Sequence, residues 1–416
     1  MKKNLTALTG LLFTTMACIS QNFNYSNVAI KTVTFSGGLT IQKDDGSGAY
    51  GTPQWSAANT THMPVAYVSG KKATAAATFS LTCSNAPAYV WIKGTGPESI
   101  EFPGTKVNIT STSSPYSISY PATAASKAFE TDVVRYFKPF TIEWQVSFDD
   151  GKTWRFVGAS MNTLYVTQNT PMNEFNGNDA NFKWFHTVFD LSCKNADKKS
   201  TETDIISGVW SEFTDHVVLN YNGDSLFYYK TMNTPYVTLS TLLKYKNAEC
   251  YTFAQLFLAL IKIQGIEKQN NYIYIEADGS NVCSGRSVDR FLVKDWVFGT
   301  PTGTCADFPY ENSYSTLIPS PYTAYKFSSA DVKDGLGIPG SCTTNPASFF
   351  NNHQISKING VYYDACYGVT FNKVTDIKTQ AFSGWSYRYS GNDGLTHACF
   401  TNDMSMADLL ESVDTY

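Results

Sequence analysis

Cys250, His353 and Asp364 are the residues of this chain whose types and order could do chemistry together. A thiol acts as a nucleophile when its thiolate is favoured, and it then needs a base and a group that orients the base. Cys250 stands at the head of Cys250-Tyr251-Thr252-Phe253-Ala254-Gln255-Leu256-Phe257-Leu258-Ala259-Leu260-Ile261-Lys262-Ile263-Gln264-Gly265. That run is apolar nearly all round, broken only at Thr252, Gln255, Lys262 and Gln264. The pattern predicts a helix buried inside a large domain. It is too short and too interrupted to cross a bilayer, and Gly265 is its expected stop. Cys250 thus falls at a helix N-terminus, where unpaired N–H groups and the helix dipole favour negative charge. Glu249, a like charge next door, opposes this. Read alone, such a cysteine is more often a buried structural thiol or half of a disulfide.

The odds change downstream, at Asn352-His353-Gln354-Ile355-Ser356-Lys357-Ile358-Asn359-Gly360-Val361-Tyr362-Tyr363-Asp364-Ala365-Cys366-Tyr367-Gly368. Asn359-Gly360 between two alternating runs is a strong signal for a two-residue type I′ turn. That turn pairs Ile358 with Val361, and by the same register Ile355 with Asp364 and His353 with Cys366. His353 and Asp364 are then diagonal neighbours on one face, about 7 Å apart by backbone, within reach of each other. A slip of one residue would send Asp364 to the opposite face.

The helix with its leading cysteine and the His-strand-Asn-Gly-strand-Asp-x-x-Tyr-Gly segment resemble the transglutaminase-like superfamily of papain-fold proteins. The resemblance spans about residues 180–400, carried by those two segments. It implies Cys250 as nucleophile, His353 as general base, Asp364 as orienter, and acyl transfer from protein or peptide amides as the chemistry. Peptide hydrolysis, glutamine deamidation and crosslinking differ only in what attacks the thioester. The long Cys-to-His separation implies an insertion, read over 278–345. The aromatic residue that often follows the histidine is replaced by Gln354 and Ile355. Some members of the superfamily have lost activity, so a non-catalytic binding or adhesion protein on the same scaffold is the alternative.

The rest of the chain bounds this reading. Its 416 residues are enough for two cores. Charged residues make up 16% and the net charge is −4 with no basic cluster, which argues against a nucleic-acid partner. Residues 1–21 read as an export signal, with Lys2-Lys3 ahead of an apolar stretch. Cys18 as a lipid acceptor is the alternative to simple export. A secreted, periplasmic or cell-surface protein without a membrane span is expected. Of nine cysteines, Cys83, Cys193, Cys283, Cys305, Cys342 and Cys399 are expected in disulfides, and Cys366, placed beside the histidine, is either a disulfide partner for the inserted loop, the favoured reading, or a free thiol. No Cys-x-x-Cys or His-x-x-x-His pattern suggests a metal, and no cofactor motif is present.

Residues 22–170 read as an all-β, immunoglobulin-like sandwich. Ala75, Ala77, Phe79, Leu81 and Cys83 alternate with polar residues, and so do Trp144, Val146 and Phe148. Asp149-Asp150-Gly151 reads as a hairpin turn in preference to a calcium site, after which Trp154 and Phe156 resume the alternation. Residues 169–181 are the linker candidate. Residues 180–416 are the α+β, papain-like domain. In it Thr201 and Asp204 form a helix-capping pair, and Ile206, Trp210 and Phe213 mark an apolar helical face. By the resemblance Trp210 could assist an oxyanion, but its helical spacing favours core packing. Tyr272 to Ile275 is an expected strand. His62, His186 and His216 are read as structural, and His397 lacks an accompanying aspartate hairpin.

Overall fold

The computed structural model describes residues 25–59, 62–172, 184–228, 238–267, 272–278, 282–283, 286–293, 349–350, 352–390, 396–401 and 407–413. The export-signal reading, most of the linker candidate and nearly all of the insertion after residue 293 lie outside them. The chain is β-rich and divides into two compact units. One comprises 1–39, 50–130 and 137–164; the other comprises 40–49, 131–136 and 165–416.

The first unit is built from β1 (Tyr25–Ser36), β2 (Trp55–Ser56), β3 (Val65–Val68), β4 (Thr74–Cys83), β5 (Tyr89–Thr95), β6 (Glu101–Asn108), β7 (Tyr116–Ala124), β8 (Arg135–Ser147) and β9 (Arg155–Thr167). They form sheets of order β2-β1-β4-β7 and β3-β9-β8-β5-β6. The alternation read in β4 is the observed one, with Ala75, Ala77, Phe79, Leu81 and Cys83 buried. The two sheets meet at Trp144, whose ring lies 5.7 Å from Phe79, 6.1 Å from Phe102 and 5.5 Å from Tyr120. Its indole N–H donates to Ser160 Oγ at 3.1 Å, so the largest core side chain leaves no polar atom unpaired.

The alternation does not resume after the β8–β9 turn. Trp154 lies in the turn under the Lys93 ammonium, 4.5 Å from its ring centre, and Phe156 is 60% exposed. The turn itself consumes Asp149. Its Oδ1 accepts from Ser147 Oγ and Thr153 N, and its Oδ2 accepts from Thr153 Oγ1 at 2.6 Å. The Thr153 and Ser147 bonds hold that carboxyl low, at about 2.

The second unit begins with α1 (His186–Asn195) and α2 (Glu202–Thr214). Thr201 caps α2 as its sequence indicates, accepting from Asp204 N at 3.2 Å. Then follow β10 (Phe227–Tyr228), α3 (Leu239–Tyr245), β11 (Asn247–Ala248), α4 (Cys250–Lys262), β12 (Tyr272–Asp278), β13 (Val282–Cys283), β14 (Arg286–Val293) and β15 (Phe349–Phe350). The remaining elements are β16 (Asn352–Ile358), β17 (Val361–Asp364), β18 (Val369–Phe371), α5 (Val374–Ala381), β19 (Phe382–Ser390), β20 (Thr396–Thr401) and β21 (Asp408–Val413). One sheet has the order β18-β17-β16-β12-β21; a second runs β13-β14-β19-β20 with β15 on β14, and β10 pairs with β11 in parallel.

Two short segments from earlier in the chain are built into this unit. Gln42 accepts from His186 N and donates to Trp184 O, flanking the start of α1, and Asp44 receives Thr187 N and Thr187 Oγ1. Val134 exchanges backbone bonds with Lys198 and Lys199. Residues 169–172, within the linker candidate, are also tied down. Asn169 N donates to Gln264 O and Met172 N to Lys262 O, both at 3.1 Å.

Candidate functional site

α4 is buried on nearly every side, from Cys250 through Ile261 except Tyr251. Its polar interruptions are each accounted for by a partner. Gln255 Oε1 receives Leu239 N, and Gln264 receives Gln168 N and donates to Ser192 Oγ. The helix starts where Glu249 takes an extended conformation, φ −94 and ψ 176, with Cys250 as the first helical residue. Burial pushes the Glu249 carboxyl up, which weakens the like charge beside the thiol.

β16 lies against α4, and two contacts set their relative height. Ser356 Oγ donates to Ala254 O at 3.4 Å, and the Tyr272 hydroxyl sits 2.9 Å from Tyr251 O and 3.0 Å from Gln354 Oε1. The β16–β17 hairpin has the register required by its turn: Ile358 opposite Val361, Lys357 opposite Tyr362, Ser356 opposite Tyr363. Asn359 and Gly360 both take positive φ, 52° and 84°, as a type I′ turn demands. The ladder stops there, so Cys366 is not a strand partner of His353. Asp364 instead starts a tight turn, its carbonyl accepting from Tyr367 N at 3.2 Å and Gly368 N at 2.9 Å, and its Oδ1 accepting from Cys366 N at 3.1 Å.

The result is a buried meeting point. His353 Nε2 and Asp364 Oδ2 are 2.7 Å apart, with His353 4% and Asp364 1% exposed. Cys250, 7% exposed, lies near enough to the same imidazole to bear on its titration. Burial alone would lower the His353 pKa. The charge and hydrogen bond of Asp364, then the nearby Cys250, overcome this and push it up to about 10. Of the three residues singled out in the sequence, His353 and Asp364 are thus hydrogen-bonded to each other, and Cys250 lies near the imidazole.

Others at this place carry weaker signals in the sequence. Tyr367 lies 5.6 Å from His353 by ring centres, and Tyr228 lies 6.0 Å from Tyr367. Burial, followed by nearby acidic groups, keeps both phenols well above their ordinary pKa. Tyr228 is brought in by the pairing of β10 with β11, which aligns it with Ala248, two residues before Cys250. Nothing local in the sequence announces a two-residue parallel pairing. His216 is more than a core filler: its Nε2 is 3.1 Å from Tyr367 O and so holds the turn that carries Asp364. Trp210 belongs to an aromatic cluster, 5.6 Å from Phe213, 5.1 Å from Phe257 and 5.0 Å from Tyr363. Phe257 is seven residues beyond Cys250, about 10 Å along the helix, and Trp210 packs as its spacing indicates.

The disulfide expectation fails at three positions. Cys83, Cys193 and Cys366 are free and buried, as is Cys250. Cys83 points into the β4 core and Cys193 lies on α1, with no second sulfur bonded to either. Burial pushes Cys193 up to about 12. Cys366 sits in the turn after Asp364, where its Sγ, a His353 ring nitrogen and an Asp364 oxygen lie within 4.8 Å of one another. Cys305 and Cys342, and the side chains of Cys283 and Cys399, lie outside the described residues, as does the side chain of His397. His62 is exposed.

Comparison with known proteins adds little. No family model matches the chain, and no curated protein matches it. Among solved structures it is similar to red sea bream transglutaminase, at 13% identity and a TM-score of 0.25. The match covers 80% of this chain, which spans half the length of that one. A TM-score so low carries no argument, and the functional reading rests on the site alone. Among the described residues, no helix is long and apolar enough to cross a membrane.

Proposed function

We propose that this protein is a thiol-dependent acyl-transfer enzyme acting on protein or peptide amides, with Cys250 as nucleophile, His353 as general acid–base and Asp364 as orienter. The observation that carries this reading is the buried 2.7 Å bond between His353 Nε2 and Asp364 Oδ2, on an imidazole that lies near the thiol heading α4. Such a series is what an activated thiol needs: a base in reach, and a carboxylate that fixes its tautomer and stabilises its charged form.

In the proposed reaction the Cys250 sulfur attacks the amide carbonyl carbon, and the carbonyl π pair moves onto oxygen. The Cys250 backbone N–H, at a helix N-terminus, is the proposed oxyanion donor. Collapse breaks the C–N bond, and the imidazolium gives its proton to the departing amine. A thioester remains. Water or a second amine then attacks it, His353 takes the proton, and the thiol is restored. In this reading residues 180–416 form a papain-like α+β domain, residues 22–170 form an immunoglobulin-like module, and the chain is exported.

The burial of Cys250 favours one other reading, a binding or adhesion protein in which the same arrangement is a relic. One experiment separates them. The full chain is incubated with casein while released ammonia, new amino termini and crosslinked species are recorded, beside Cys250→Ala. An enzyme turns over and the variant does not, although both melt together. Equal turnover in the two, or none in either with Cys250 inert to iodoacetamide, rejects the acyl-transfer reading.

A further inference from the structure

Cys366 has no part in the proposed reaction, yet it is fully buried, free, and held against the two residues that are meant to control the thiol. Its sulfur, a His353 ring nitrogen and an Asp364 carboxylate oxygen lie within 4.8 Å of one another. Tetrahedral zinc bonds N, O and S donors at about 2.0–2.3 Å, which places the donors about 3.5 Å from one another. Small side-chain movements therefore convert this cluster into a ligand set. The donors select among cations. A thiolate with an imidazole and a single carboxylate suits zinc, and hard ions such as magnesium and calcium take sets made of oxygen.

Backbone placement makes the set rigid. His353 is on β16, inside a sheet, and Asp364 closes β17. Cys366 follows in a turn fixed by Asp364 Oδ1 on its own N–H and by the Tyr367 and Gly368 N–H groups on the Asp364 carbonyl. Oδ1 is therefore engaged, leaving Oδ2 for a metal. The sequence hides this set because its members come from a strand, the end of the next strand and a turn, with none of the paired spacings of a zinc ribbon.

We propose that His353 Nε2, Asp364 Oδ2 and Cys366 Sγ form a zinc site, with water in the fourth position, that turns the neighbouring thiol off. Binding breaks the Nε2–H and S–H bonds and forms N–Zn, O–Zn and S–Zn bonds. Two protons pass to solvent and no electron is transferred. The carboxylate then faces the metal, and Nε2 no longer has a proton to give it. Cys250 is outside the cluster and is not a ligand. The inhibitory effect rests on the acyl-transfer reading, but metal uptake does not.

The test uses the full chain, stripped with a chelator, and two probes, cobalt(II) and zinc(II). Cobalt uptake is followed by the thiolate charge-transfer band in the near ultraviolet. Zinc uptake is followed by competition with a chromophoric chelator, and proton release by pH-stat. Expected are one metal per chain, two protons released per metal, and slowed alkylation of Cys250 that a chelator reverses. Cys366→Ala should weaken uptake by at least about 100-fold, and Cys250→Ala should leave it within about threefold. Near-ultraviolet circular dichroism checks each variant for folding; if Cys366→Ala fails, Cys366→Ser replaces it and must abolish the band. Uptake unchanged by either Cys366 substitution overturns the site, as does uptake lost in Cys250→Ala or absent from the wild-type chain. Uptake by a chain that never turns over casein would keep the site and reject the enzyme.

Discussion

At the scale of single residues, the His353–Asp364 pair makes two commitments. The folded chain holds the His353 proton up to about pH 10, against an ordinary value of 6.5. A raised pKa means that folding binds this proton more tightly. Its stabilising contribution is full below about pH 6.5, declines as pH rises, and is gone above about pH 10. The stability difference between wild type and His353→Gln should therefore shrink across that window, by at most about 1.4 kcal/mol per pH unit. Urea melts at a series of pH values measure it, and a difference that stays flat from pH 7 to 10 would contradict the pairing. The second commitment concerns Asp364→Asn, which keeps the shape but removes the charge that stabilises an imidazolium. Turnover in that variant should fall by about 10³-fold or more with little change in KM. These residues were legible because chemistry restricts residue type: a thiol, an imidazole and a carboxylate in suitable order are rare enough to be noticed. Cys366 was legible only as a neighbour of the histidine, and its free state depends on what lies around it in three dimensions.

At the scale of elements, the turn from Asp364 to Gly368 is the piece on which the site depends. Gly368 has φ +65°, and a Cβ there would sit 2.3 Å from Phe213 O and 3.1 Å from His216 Cδ2. Gly368→Ala should cost at least about 2 kcal/mol and disturb Cys250 reactivity, as thermal melts and alkylation rates would register; a variant that melts like wild type would show the turn to be slack. His216→Ala should cost only about 1 kcal/mol yet shift the pH profile of Cys250 alkylation, since it removes a bond that holds the turn carrying Asp364. The hairpin register was readable because Asn359-Gly360 leaves one good way to join the strands. Period and burial likewise revealed α4, α2 and β4. Trp154 and Phe156 do not follow the alternation because apolar character does not say which face of a strand is covered. The β10–β11 pairing was out of reach, since two residues carry no period.

At the scale of the whole molecule, the division read from the sequence as a linker near residues 169–181 meets a chain that is not divided at one point. Asp44 serves the first turn of α1, and burial pushes its carboxyl up to about 6, with the Thr187 bonds opposing that rise. The Tyr136 hydroxyl lies 3.1 Å from Asp190 Oδ1, and its N–H donates to Asp197 Oδ1. A fragment covering 165–416 lacks all of these partners. It should fold weakly or not at all, and adding residues 40–49 and 131–136 as peptides should raise its melting point; a fragment as stable as the full chain would refute the interleaving. Contacts between residues 54 to 143 positions apart leave no local mark, which is why the sequence does not announce this feature. It also has a genetic consequence. Because each unit is assembled from separated stretches of chain, no single pair of breakpoints in the coding sequence excises either one whole. Recombination cannot pass one unit to a new protein as a cassette, and the two are inherited together.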